Sequence, residues 1–369
     1  MKILHTEASL GWGGQEIRIL TESAGMIARG HQVELACPPE ARIHAEAPRF
    51  GVPVHALPIG RKKLTGLFAM RRFLRAHHYD VINTHSSTDA WLVALAAIGH
   101  RAPPMVRTRH ISAAVPNDPG TRWLYGRASV RIATTGEALR EQLIRDNGVA
   151  PERVVSVPTG IDPARYPPSD PERRAAARRT LDLPAEAKIV GIVATLRSWK
   201  GHRYLIDALA ALPDPNLRVV IVGDGPQRAA LEEQARGAAV AGRVVFAGNR
   251  NDVAPWLAAF DLFALPSYAN EGVPQALLQA MFTGLPCVTT DAGAIPEIAR
   301  NGETALVVPR EDAAALAQAI ARLVADPALA ARLGAAARAL VTERHGLDRM
   351  LDRMEAVFAA ARADASGHG

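Results

Sequence analysis

The sequence predicts an α/β protein with two doubly wound parallel sheets, one in each half of the chain. Short apolar runs alternate with amphipathic helical patterns, a spacing typical of parallel strands that are covered by helices on both faces. The chain has 369 residues, more than one hydrophobic core usually serves, so two domains are expected. Hydrophobic residues make up 48% of the chain and aromatic residues 5%, which favours a helix-rich α/β protein over a disordered one.

Seven short apolar runs in the first half are predicted strands: Ile3–His5, Val33–Cys37, Val54–Leu57, Val81–His85, Met105–His110, Arg131–Thr134 and Val154–Val157. A helical pattern ends at Arg29, where Gly30 is expected to be a left-handed cap. Further helical patterns lie around residues 40–50, 61–78, 87–99 and 136–146. Gly160 follows the last strand in a Pro-containing stretch, and because glycine adopts backbone angles that other residues resist, we expect a hinge there.

The second half repeats the alternation. Its predicted strands are Lys188–Ala194, Arg218–Val222, Val244–Phe246, Leu262–Leu265, Cys287–Thr290 and Ala305–Val308. Residues 166–179 read as a linker and an outer helix, and two Ala-rich helices, 311–325 and 327–344, end the half. A last helix, Leu347–Arg362, is expected to return to the first domain. The predicted domains are therefore 1–165 and 166–345, with 346–369 as the returning segment.

The cysteines and the apolar runs of the sequence predict where the protein is located in the cell. The two cysteines, Cys37 and Cys287, lie far apart in apolar runs, so no disulfide framework is expected. No signal-peptide pattern precedes the first strand, and the longest nearly uninterrupted apolar run, Trp91–Gly99, is about half of the ~18 residues that span a bilayer. These features predict a cytoplasmic protein that is soluble or peripheral on the inner face of a membrane.

The positive charge is concentrated in the first half. Residues 1–165 carry 21 Lys and Arg against 14 Asp and Glu, a net charge of +7, whereas residues 166–369 carry 22 against 23, a net charge of −1. Aromatic residues do not alternate with basic ones as they do on nucleic-acid platforms, so nucleic acid is not an expected partner. An anionic membrane surface or a phosphorylated acceptor is favoured instead.

The most informative stretch is Asn270–Gly284, which follows the predicted strand Leu262–Leu265. It reads as a loop and then a helix that begins near Pro274 and stops at Gly284, because proline suits the first turn of a helix and glycine suits the position after its end. The loop Glu271–Val273 would offer free backbone N–H groups, the positive end of a helix dipole and a carboxylate. Such a loop suits an anion with attached hydroxyl groups, such as a sugar nucleotide.

This stretch resembles the signature of the retaining glycosyltransferases of family 4, also called glycosyl transferases group 1. The signature is Glu-Gly-x-Pro-x-x-x-x-Glu-Ala-Met-x-x-Gly; Glu271 matches its first glutamate and Gln279 stands where its second is usual. The resemblance implies the glycosyltransferase B-type (GT-B) architecture, in which two Rossmann-like domains face each other across a cleft. It also implies transfer of a sugar from a nucleotide-diphospho-sugar to a glycan or lipid-linked acceptor, in cell-envelope polysaccharide or lipopolysaccharide synthesis.

Arg197 and Lys200 lie in the loop after the first strand of the second half, where two cations would stabilise the charge that grows on a departing diphosphate. The resemblance assigns Glu271 to hydroxyl groups of the donor sugar and the backbone of Gly272, Val273 and Pro274 to sugar or phosphate. The alternative roles are a solvated loop pair for the two cations and a helix-cap neighbour for Glu271.

Gln279 matches the glutamate that accepts hydrogen bonds from both ribose hydroxyls in the family. A neutral amide has one acceptor oxygen, so binding is expected to survive but weaken by about 1 kcal/mol. A solvent-facing glutamine is the alternative. Other donor-binding candidates are Gly223, Asp224 and Gly225, a turn after a strand that approaches the nucleotide or binds nothing, and Asn249 and Arg250, where the family reads the base through backbone groups.

In the first half, Gly13 and Gly14 follow the first strand, and the resemblance makes their loop the one that closes on donor phosphate and acceptor. His110 ends a strand and matches a family histidine near the donor sugar, although a lone histidine there is more often structural. The chain has no Asp-x-Asp and no metal-spaced cluster, so neither a metal nor another cofactor is expected.

Residues 61–78 form a basic amphipathic helical pattern. Its apolar residues are Leu64, Leu67, Phe68, Phe73 and Leu74, for which core packing is the favoured role. Contact of its basic face with anionic lipid is the alternative. Two other functions remain open for the whole chain: a sugar-nucleotide epimerase of similar build, and a non-catalytic nucleotide-sugar-binding protein whose Gln279 marks a lost activity.

Overall fold

The computed structural model describes residues 1–99 and 102–366. The chain divides into two compact units: the first unit is Met1–Gly160 with the described part of Asp348–Gly369, and the second unit is Ile161–Leu347. Residues 367–369 of the predicted returning segment lie outside the described residues. The boundary after Gly160 lies a few residues before the predicted one, because Ile161 pairs with Gly346 and its N–H donates to His345 within the second unit.

The first unit is built on a seven-stranded parallel sheet in the order β3-β2-β1-β4-β5-β6-β7. Its strands are β1 (Lys2–Thr6), β2 (Gln32–Cys37), β3 (Val54–Ala56), β4 (Val81–Thr84), β5 (Met105–Arg109), β6 (Ser129–Thr134) and β7 (Val154–Ser156). Its helices are α1 (Gly14–Ala28), α2 (Arg42–Glu46), α3 (Leu64–Ala76), α4 (Ser87–Ala96), α5 (Pro119–Trp123) and α6 (Glu137–Asn147).

The second unit is built on a six-stranded parallel sheet in the order β10-β9-β8-β11-β12-β13. Its strands are β8 (Lys188–Val193), β9 (Leu217–Val222), β10 (Val244–Gly248), β11 (Leu262–Leu265), β12 (Cys287–Thr289) and β13 (Leu306–Val307). Its helices are α7 (Pro171–Thr180), α8 (His202–Ala211), α9 (Arg228–Gly237), α10 (Ala254–Ala259), α11 (Gln275–Phe282), α12 (Ala313–Ala325) and α13 (Pro327–Arg344), and α14 (Leu347–Ser366) ends the described chain. The predicted fold class, two parallel-sheet α/β domains, is confirmed.

Successive residues of β2 pack into two different hydrophobic clusters, one on each face of the first sheet. Leu35 and Cys37 belong to one buried cluster, with Ile19 and Leu20 of α1, whereas Ala36 between them belongs to the other. The second cluster contains residues of α3 and α4. Because successive strand residues point to opposite faces, an apolar run without alternation is what a doubly covered strand requires.

Helix α14 is bound to the first unit by charged pairs. Arg29, at the end of α1, donates to Asp352 at 2.7 Å, and Arg131 of β6 donates to Asp364 at 2.7 Å. Gly30 has a φ of +85°, which confirms the left-handed cap after α1. Both cysteines are free and buried.

The structure corrects one helical prediction and adds one helix that was not predicted. The pattern around residues 40–50 is a short α2 followed by a 3₁₀ turn, Ala47–Phe50, because Pro48 has no N–H with which to continue an α-helix. The sequence reading also missed α5. This short helix begins where Asp118 accepts a hydrogen bond from the N–H of Thr121 at 2.9 Å, just before a proline at its first position.

Among the described helices, none is long and apolar enough on its own to cross a membrane. One pair, α12 and α13, meets the length and composition limits only when taken together, and the two helices are bent by 102° at their junction.

A glycine in β8 tests how tightly the second unit is packed. A Cβ atom at Gly191 would lie 1.9 Å from the ring of Phe260, which is fully buried. Gly191→Ala is therefore expected to destabilise the protein by ~1–3 kcal/mol, seen as a lower midpoint of urea unfolding. Gly242→Ala is the matched control, since a Cβ there meets nothing within 4 Å. Equal midpoints for the two variants would contradict this packing.

Candidate active site

The predicted site residues of the second half lie along one edge of one sheet. They follow β8, β9, β10 and β11, four strands that are neighbours in the sheet order and parallel to one another. The carboxyl ends of parallel strands meet at the same edge, which is where α/β proteins bind ligands. The structure thus brings together loops that are up to about 80 positions apart in the chain.

Three glycines let these loops approach each other closely. A Cβ on Gly201 would lie 1.9 Å from the carbonyl oxygen of Pro266, and one on Gly223 would lie 2.0 Å from the carbonyl oxygen of Ala194. A Cβ on Gly225 would lie 2.8 Å from the carbonyl oxygen of Leu196. Gly223 and Gly225 were predicted to allow a nucleotide to approach the turn; the neighbouring backbone already requires glycine at both positions.

Lys200 and Glu271 form the central contact of this edge. Lys200 Nζ donates to Glu271 Oε1 at 2.6 Å, and Ser267 Oγ donates to the same oxygen at 2.6 Å. Glu271 is 4% exposed, so this carboxylate is buried and paired rather than solvated. The loops that carry the pair are joined by the N–H of Tyr268, which donates to the carbonyl of Trp199 at 2.9 Å.

Arg197 has a different environment from Lys200. It immediately precedes a 3₁₀ turn, Ser198–Lys200, and its side chain is exposed, with the guanidinium 5.8 Å from the ring centre of Trp199. Within the described residues Arg197 makes no ion pair. The charge of Lys200 is thus balanced by Glu271, whereas that of Arg197 is open to an anion from solution.

The loop before α11 has the predicted donor groups. Pro274 caps the helix from the position just before its first residue, and Gly284 has a φ of +77° after its end. Gly272 and Val273 are buried, and within the described chain neither N–H donates a hydrogen bond. Gln275 Oε1 is also buried without a partner there. A helix start with free N–H groups attracts negative charge.

Gln279 does not face solvent, so that alternative is wrong. It is 7% exposed, and its Nε2 donates to the hydroxyl oxygen of Tyr166 at 2.8 Å. Tyr166 is 5% exposed, and burial raises the pKa of its phenol to about 12. No sequence pattern indicated this pair, because the two residues lie more than a hundred positions apart in different elements.

The remaining candidates of the second unit lie at its surface. Asp224 is exposed, and its carboxylate accepts from the N–H of Gly225 at 2.8 Å, which stabilises the turn. Asn249 and Arg250 follow β10 and are exposed, with the Arg250 guanidinium 5.3 Å from the ring centre of Trp256. These residues lie at the same sheet edge as the Lys200 pair.

In the first unit, Gly13 caps the start of α1 and Gly14 is the first residue of that helix. Gly13 has an extended backbone, with a φ of −171°, so its conformation is one that any residue adopts. Gly14 is exposed. Both lie just after β1, at the carboxyl edge of the first sheet.

His110 follows β5 and belongs to a row of three imidazoles, here called the histidine row: His5, His85 and His110. His5 Nδ1 lies 2.8 Å from His85 Nε2, and His85 Nδ1 lies 3.0 Å from His110 Nε2. Burial is the main cause that lowers the pKa of each ring, to about 3 for His5 and well below the usual value for the other two. All three rings are therefore neutral at physiological pH.

Buried acids surround the histidine row. Asp89 accepts from Thr6 Oγ1 at 2.6 Å and from the N–H of His85 at 2.9 Å. Burial, followed by the nearby carboxylates, raises the pKa of Glu7 to about 8. Glu22 lies deeper, with Oε1 4.0 Å from His5 Nε2 and Oε2 3.6 Å from Arg18 Nε.

Sequence reasoning missed these groups, although the signal was present. The letters His-Thr-Glu, Asn-Thr-His and Thr-Arg-His end three apolar strands that prove to be neighbours in the sheet, β1, β4 and β5. Polar residues at adjacent strand ends are the pattern that marks a site. Within the described residues no group of three or more His, Cys, Asp or Glu is arranged to hold a metal ion.

Comparison with known protein families gives two matches that together cover most of the chain. The profile of Glycosyltransferase Family 4 matches residues 12–165, and that of Glycosyl transferases group 1 matches residues 187–326. A D-inositol 3-phosphate glycosyltransferase of Streptomyces bingchenggensis is 31% identical over 314 residues, covering 78% of this chain and 68% of the relative. The Corynebacterium glutamicum enzyme of the same name is 30% identical over 362 residues, covering 90% and 84%.

Solved structures support the fold. Anabaena HepE in complex with UDP-glucose superposes with a TM-score of 0.87 at 24% identity, covering 98% of this chain and 100% of that one. WaaG, a glycosyltransferase involved in lipopolysaccharide biosynthesis, superposes with a TM-score of 0.74 at 19% identity, covering 96% and 98%. At these identities the likeness establishes the GT-B fold.

The Tyr166 and Gln279 pair yields a stability prediction. Tyr166→Phe removes the acceptor of a buried amide and leaves its N–H unpaired, so the variant is expected to lose ~1–3 kcal/mol of stability. Tyr204→Phe is the control, because the Tyr204 hydroxyl donates to Glu311 at the surface, where water replaces the lost partner. Urea unfolding of both variants is the measurement, and a Tyr166→Phe midpoint equal to the control would contradict the contact.

Proposed function

The chain belongs to glycosyltransferase family 4, and from that membership we propose that it is a retaining enzyme that transfers a sugar from a nucleotide-diphospho-sugar to a hydroxyl group of a glycan or lipid-linked acceptor. The observation that carries this proposal is the Lys200 and Glu271 pair beside the free N–H groups before α11. That sheet edge combines positive charge for a diphosphate with a carboxylate for sugar hydroxyls. HepE, a protein of the same fold, binds UDP-glucose, which supports a donor of this class.

The donor diphosphate binds at the edge of β8 and β11 in this proposal. Arg197 supplies the open positive charge, and the N–H groups of Gly272 and Val273 supply oriented donors. As the glycosidic bond breaks, negative charge grows on the diphosphate, and groups already in place stabilise it without reorganisation. These protein groups supply the stabilisation of the departing diphosphate, so we propose that no metal or other cofactor takes part.

Glu271 has two roles in the proposed complex. Its Oε1 accepts from Lys200 and Ser267, which holds the lysine beside the diphosphate, and its remaining acceptor positions are available to hydroxyl groups of the donor sugar. Retention follows from same-face substitution, in which the departing diphosphate takes the proton of the acceptor hydroxyl. This proton transfer requires no separate base.

Gln279 is proposed to bind the ribose with its amide oxygen. Its Nε2 is already used by Tyr166, so the oxygen remains as an acceptor for one hydroxyl group. Gly223, Asp224 and Gly225, with Asn249 and Arg250, complete the nucleotide side. Binding is weaker than with a carboxylate by about 1 kcal/mol, because a charged acceptor forms the stronger hydrogen bond.

The first unit is proposed to contribute His110 to the donor sugar and the Gly13 and Gly14 loop to phosphate and acceptor. Its excess positive charge suits an anionic acceptor. D-inositol 3-phosphate, the substrate in the names of two relatives, is one such compound, and lipid-linked glycans of the cell envelope are the class proposed first. The family match favours transfer over both an epimerase and a non-catalytic binding protein.

Transfer activity tests the donor site. Arg197→Ala is expected to lower kcat/KM by at least about 100-fold, because one oriented charge on the departing group is lost. Arg203→Ala is the matched control, since Arg203 is also exposed and also lies over an aromatic ring, that of Tyr204. A panel of nucleotide-sugars, screened first by thermal shift, identifies the donor.

Glu271→Gln, which preserves shape, is expected to show a similar loss of kcat/KM in the same assay. Comparable rates for Arg197→Ala, Glu271→Gln and Arg203→Ala would refute the site, and release of an isomerised sugar without acceptor would indicate an epimerase.

A second proposal concerns contact with an anionic membrane from the cytoplasmic side. Core packing was favoured for all the apolar residues of α3, and the structure corrects this: Phe73 and Leu74 are buried, but Leu64 is 69% exposed and Phe68 is 65% exposed. The two exposed residues are one helical turn apart, and the basic residues before the helix, Arg61, Lys62 and Lys63, are exposed as well. Apolar and basic groups on one surface suit an anionic lipid interface.

Vesicle co-sedimentation tests this surface. The double variant Leu64→Ser and Phe68→Ser is expected to bind phosphatidylglycerol vesicles at least about tenfold more weakly than the unaltered protein, since each side chain contributes ~1.5–3 kcal/mol when fully buried. Ile111→Ser is the control, because Ile111 is exposed and apolar but lies outside α3. Equal binding of the double variant and the control, or no binding by the unaltered protein at low salt, would eliminate the proposal.

A further inference from the structure

The histidine row leaves one ring nitrogen without a histidine partner at each end. At the outer end, His110 is partly exposed, and within the described residues its Nδ1 makes no hydrogen bond. At the inner end, His5 is fully buried and its Nε2 is unpartnered there. That nitrogen faces Glu22, whose Oε1 lies 4.0 Å away and whose side chain is fully buried.

Neutral rings in this row can be arranged in only two ways. A neutral imidazole has one N–H and one lone pair, so each ring donates with one nitrogen and accepts with the other. If every proton is on Nδ1, the outer nitrogen of His110 is a donor and the inner nitrogen of His5 is an acceptor. If every proton is on Nε2, both ends are reversed. The two contacts at 2.8 and 3.0 Å couple the three tautomers.

Glu22 distinguishes between these two arrangements. An ionised carboxylate 4.0 Å from His5 Nε2 favours a proton on that nitrogen, whereas a protonated carboxyl group favours a lone pair there. The low dielectric of a buried site strengthens this preference. Burial raises the pKa of Glu22 to about 7, against the opposing effect of Arg18, so the group titrates near neutral pH.

We propose that Glu22, acting through His5 and His85, sets which ring nitrogen of His110 carries the proton, and therefore whether His110 accepts or donates a hydrogen bond at its exposed nitrogen. Glu22 is then a positioning residue, which acts on a ligand only through the row. The identity of the ligand, a hydroxyl group of the donor sugar, rests on the proposed function. The tautomer change is independent of that function.

Protonation of Glu22 changes the tautomer of all three rings, and no ring becomes charged in the process. When Glu22 becomes protonated, a proton enters at His110 Nδ1, and His110 passes its Nε2 proton to His85 Nδ1. His85 passes its own Nε2 proton to His5 Nδ1, and His5 passes its Nε2 proton to Glu22. With the pKa of Glu22 at about 7, His110 Nδ1 is an acceptor above that pH and a donor below it.

Groups from several elements face the row, and the three arginines among them act with burial to keep its rings neutral. Arg18 comes from α1, Arg107 and Arg109 come from β5, and all three lower the pKa of His110. Asp89 comes from α4 and is bonded to the N–H of His85, and Asn83 of β4 lies 3.5 Å from Glu22 Oε1. The ring of Phe358, from α14, packs edge-on against His5. A proton that reaches the row is therefore driven on to the carboxylate.

Nitrogen NMR of the full chain, labelled with ¹⁵N-histidine and free of ligand, tests the proposal. From about pH 5.5 to about pH 8.5, the protonated nitrogen of His110 is expected to change from Nδ1 to Nε2. The signal is assigned by its loss in His110→Gln. One unchanging tautomer over this range, or a doubly protonated ring at low pH, would overturn the proposal.

Two substitutions on the same helix separate the role of Glu22 from general effects of burial. Glu22→Gln removes the titrating group, and His110 is then expected to keep one tautomer at every pH. Glu16→Gln removes another buried acid of α1 that lies outside the row, and the change of tautomer is expected to persist. If Glu22→Gln does not fold, His85→Asn interrupts the row instead and should also abolish the change. Persistence of the change in the folded variant would refute the role of Glu22.

Kinetics distinguish this proposal from the proposed function. In the active enzyme, the KM for the donor is expected to change across about pH 7 and to lose this dependence in Glu22→Gln but not in Glu16→Gln. A His110 that changes tautomer in a protein that transfers no sugar would refute the function and leave the switch in place. Sugar transfer by a protein in which His110 keeps one tautomer at every pH would refute the switch and leave the proposed function in place.

Discussion

The close approach of three backbone loops at the carboxyl edge of the second sheet is the constraint on which the proposed donor site depends. Gly201 and Gly223 each bring their backbone so near to a neighbouring carbonyl that no Cβ would fit. Loops held this tightly have little freedom, and a charge carried on them is fixed in place before a ligand arrives. Lys200, which immediately precedes Gly201, is therefore held within hydrogen-bond distance of Glu271 before any ligand binds. Electrostatic stabilisation of a departing group requires preorganisation of this kind.

The first unit fixes its polar groups in another way. Arg18 and Glu22 are fully buried on one face of α1, and Arg18 also donates to the carbonyl oxygen of Val157 at 2.7 Å. Burying charge is unfavourable unless hydrogen bonds and opposite charges compensate for it, so each member of such a cluster limits the positions of the others. A neutral histidine row next to a titrating carboxyl group is one of the few arrangements in which a proton moves without leaving a buried charge on a ring.

How much could be predicted from the sequence depends on how far apart the interacting residues are in the chain. The strands, most of the helices and the site loops were predictable, because apolar runs bounded by glycine and proline show where strands end; the short helix α5 was not. The contact of Tyr166 with Gln279 was not, since a hydrogen bond between segments more than a hundred positions apart has no periodic pattern. The helix α3 shows a related limit: its apolar stripe was visible, but the pattern alone does not show where the core stops, and Leu64 and Phe68 lie beyond it.

Gln279 shows how a single neutral substitution is accommodated in this fold. A carboxylate in a position that is only 7% exposed would carry a desolvation penalty that a neutral amide largely avoids. The amide also satisfies one of its own donors with the Tyr166 hydroxyl, leaving its oxygen for a ligand. The substitution thus favours the unliganded protein and removes one strong acceptor from the complex. Because the charged groups proposed to act on the diphosphate lie elsewhere, at Arg197 and Lys200, we expect the glutamine to weaken binding of the nucleoside without removing the groups proposed for transfer.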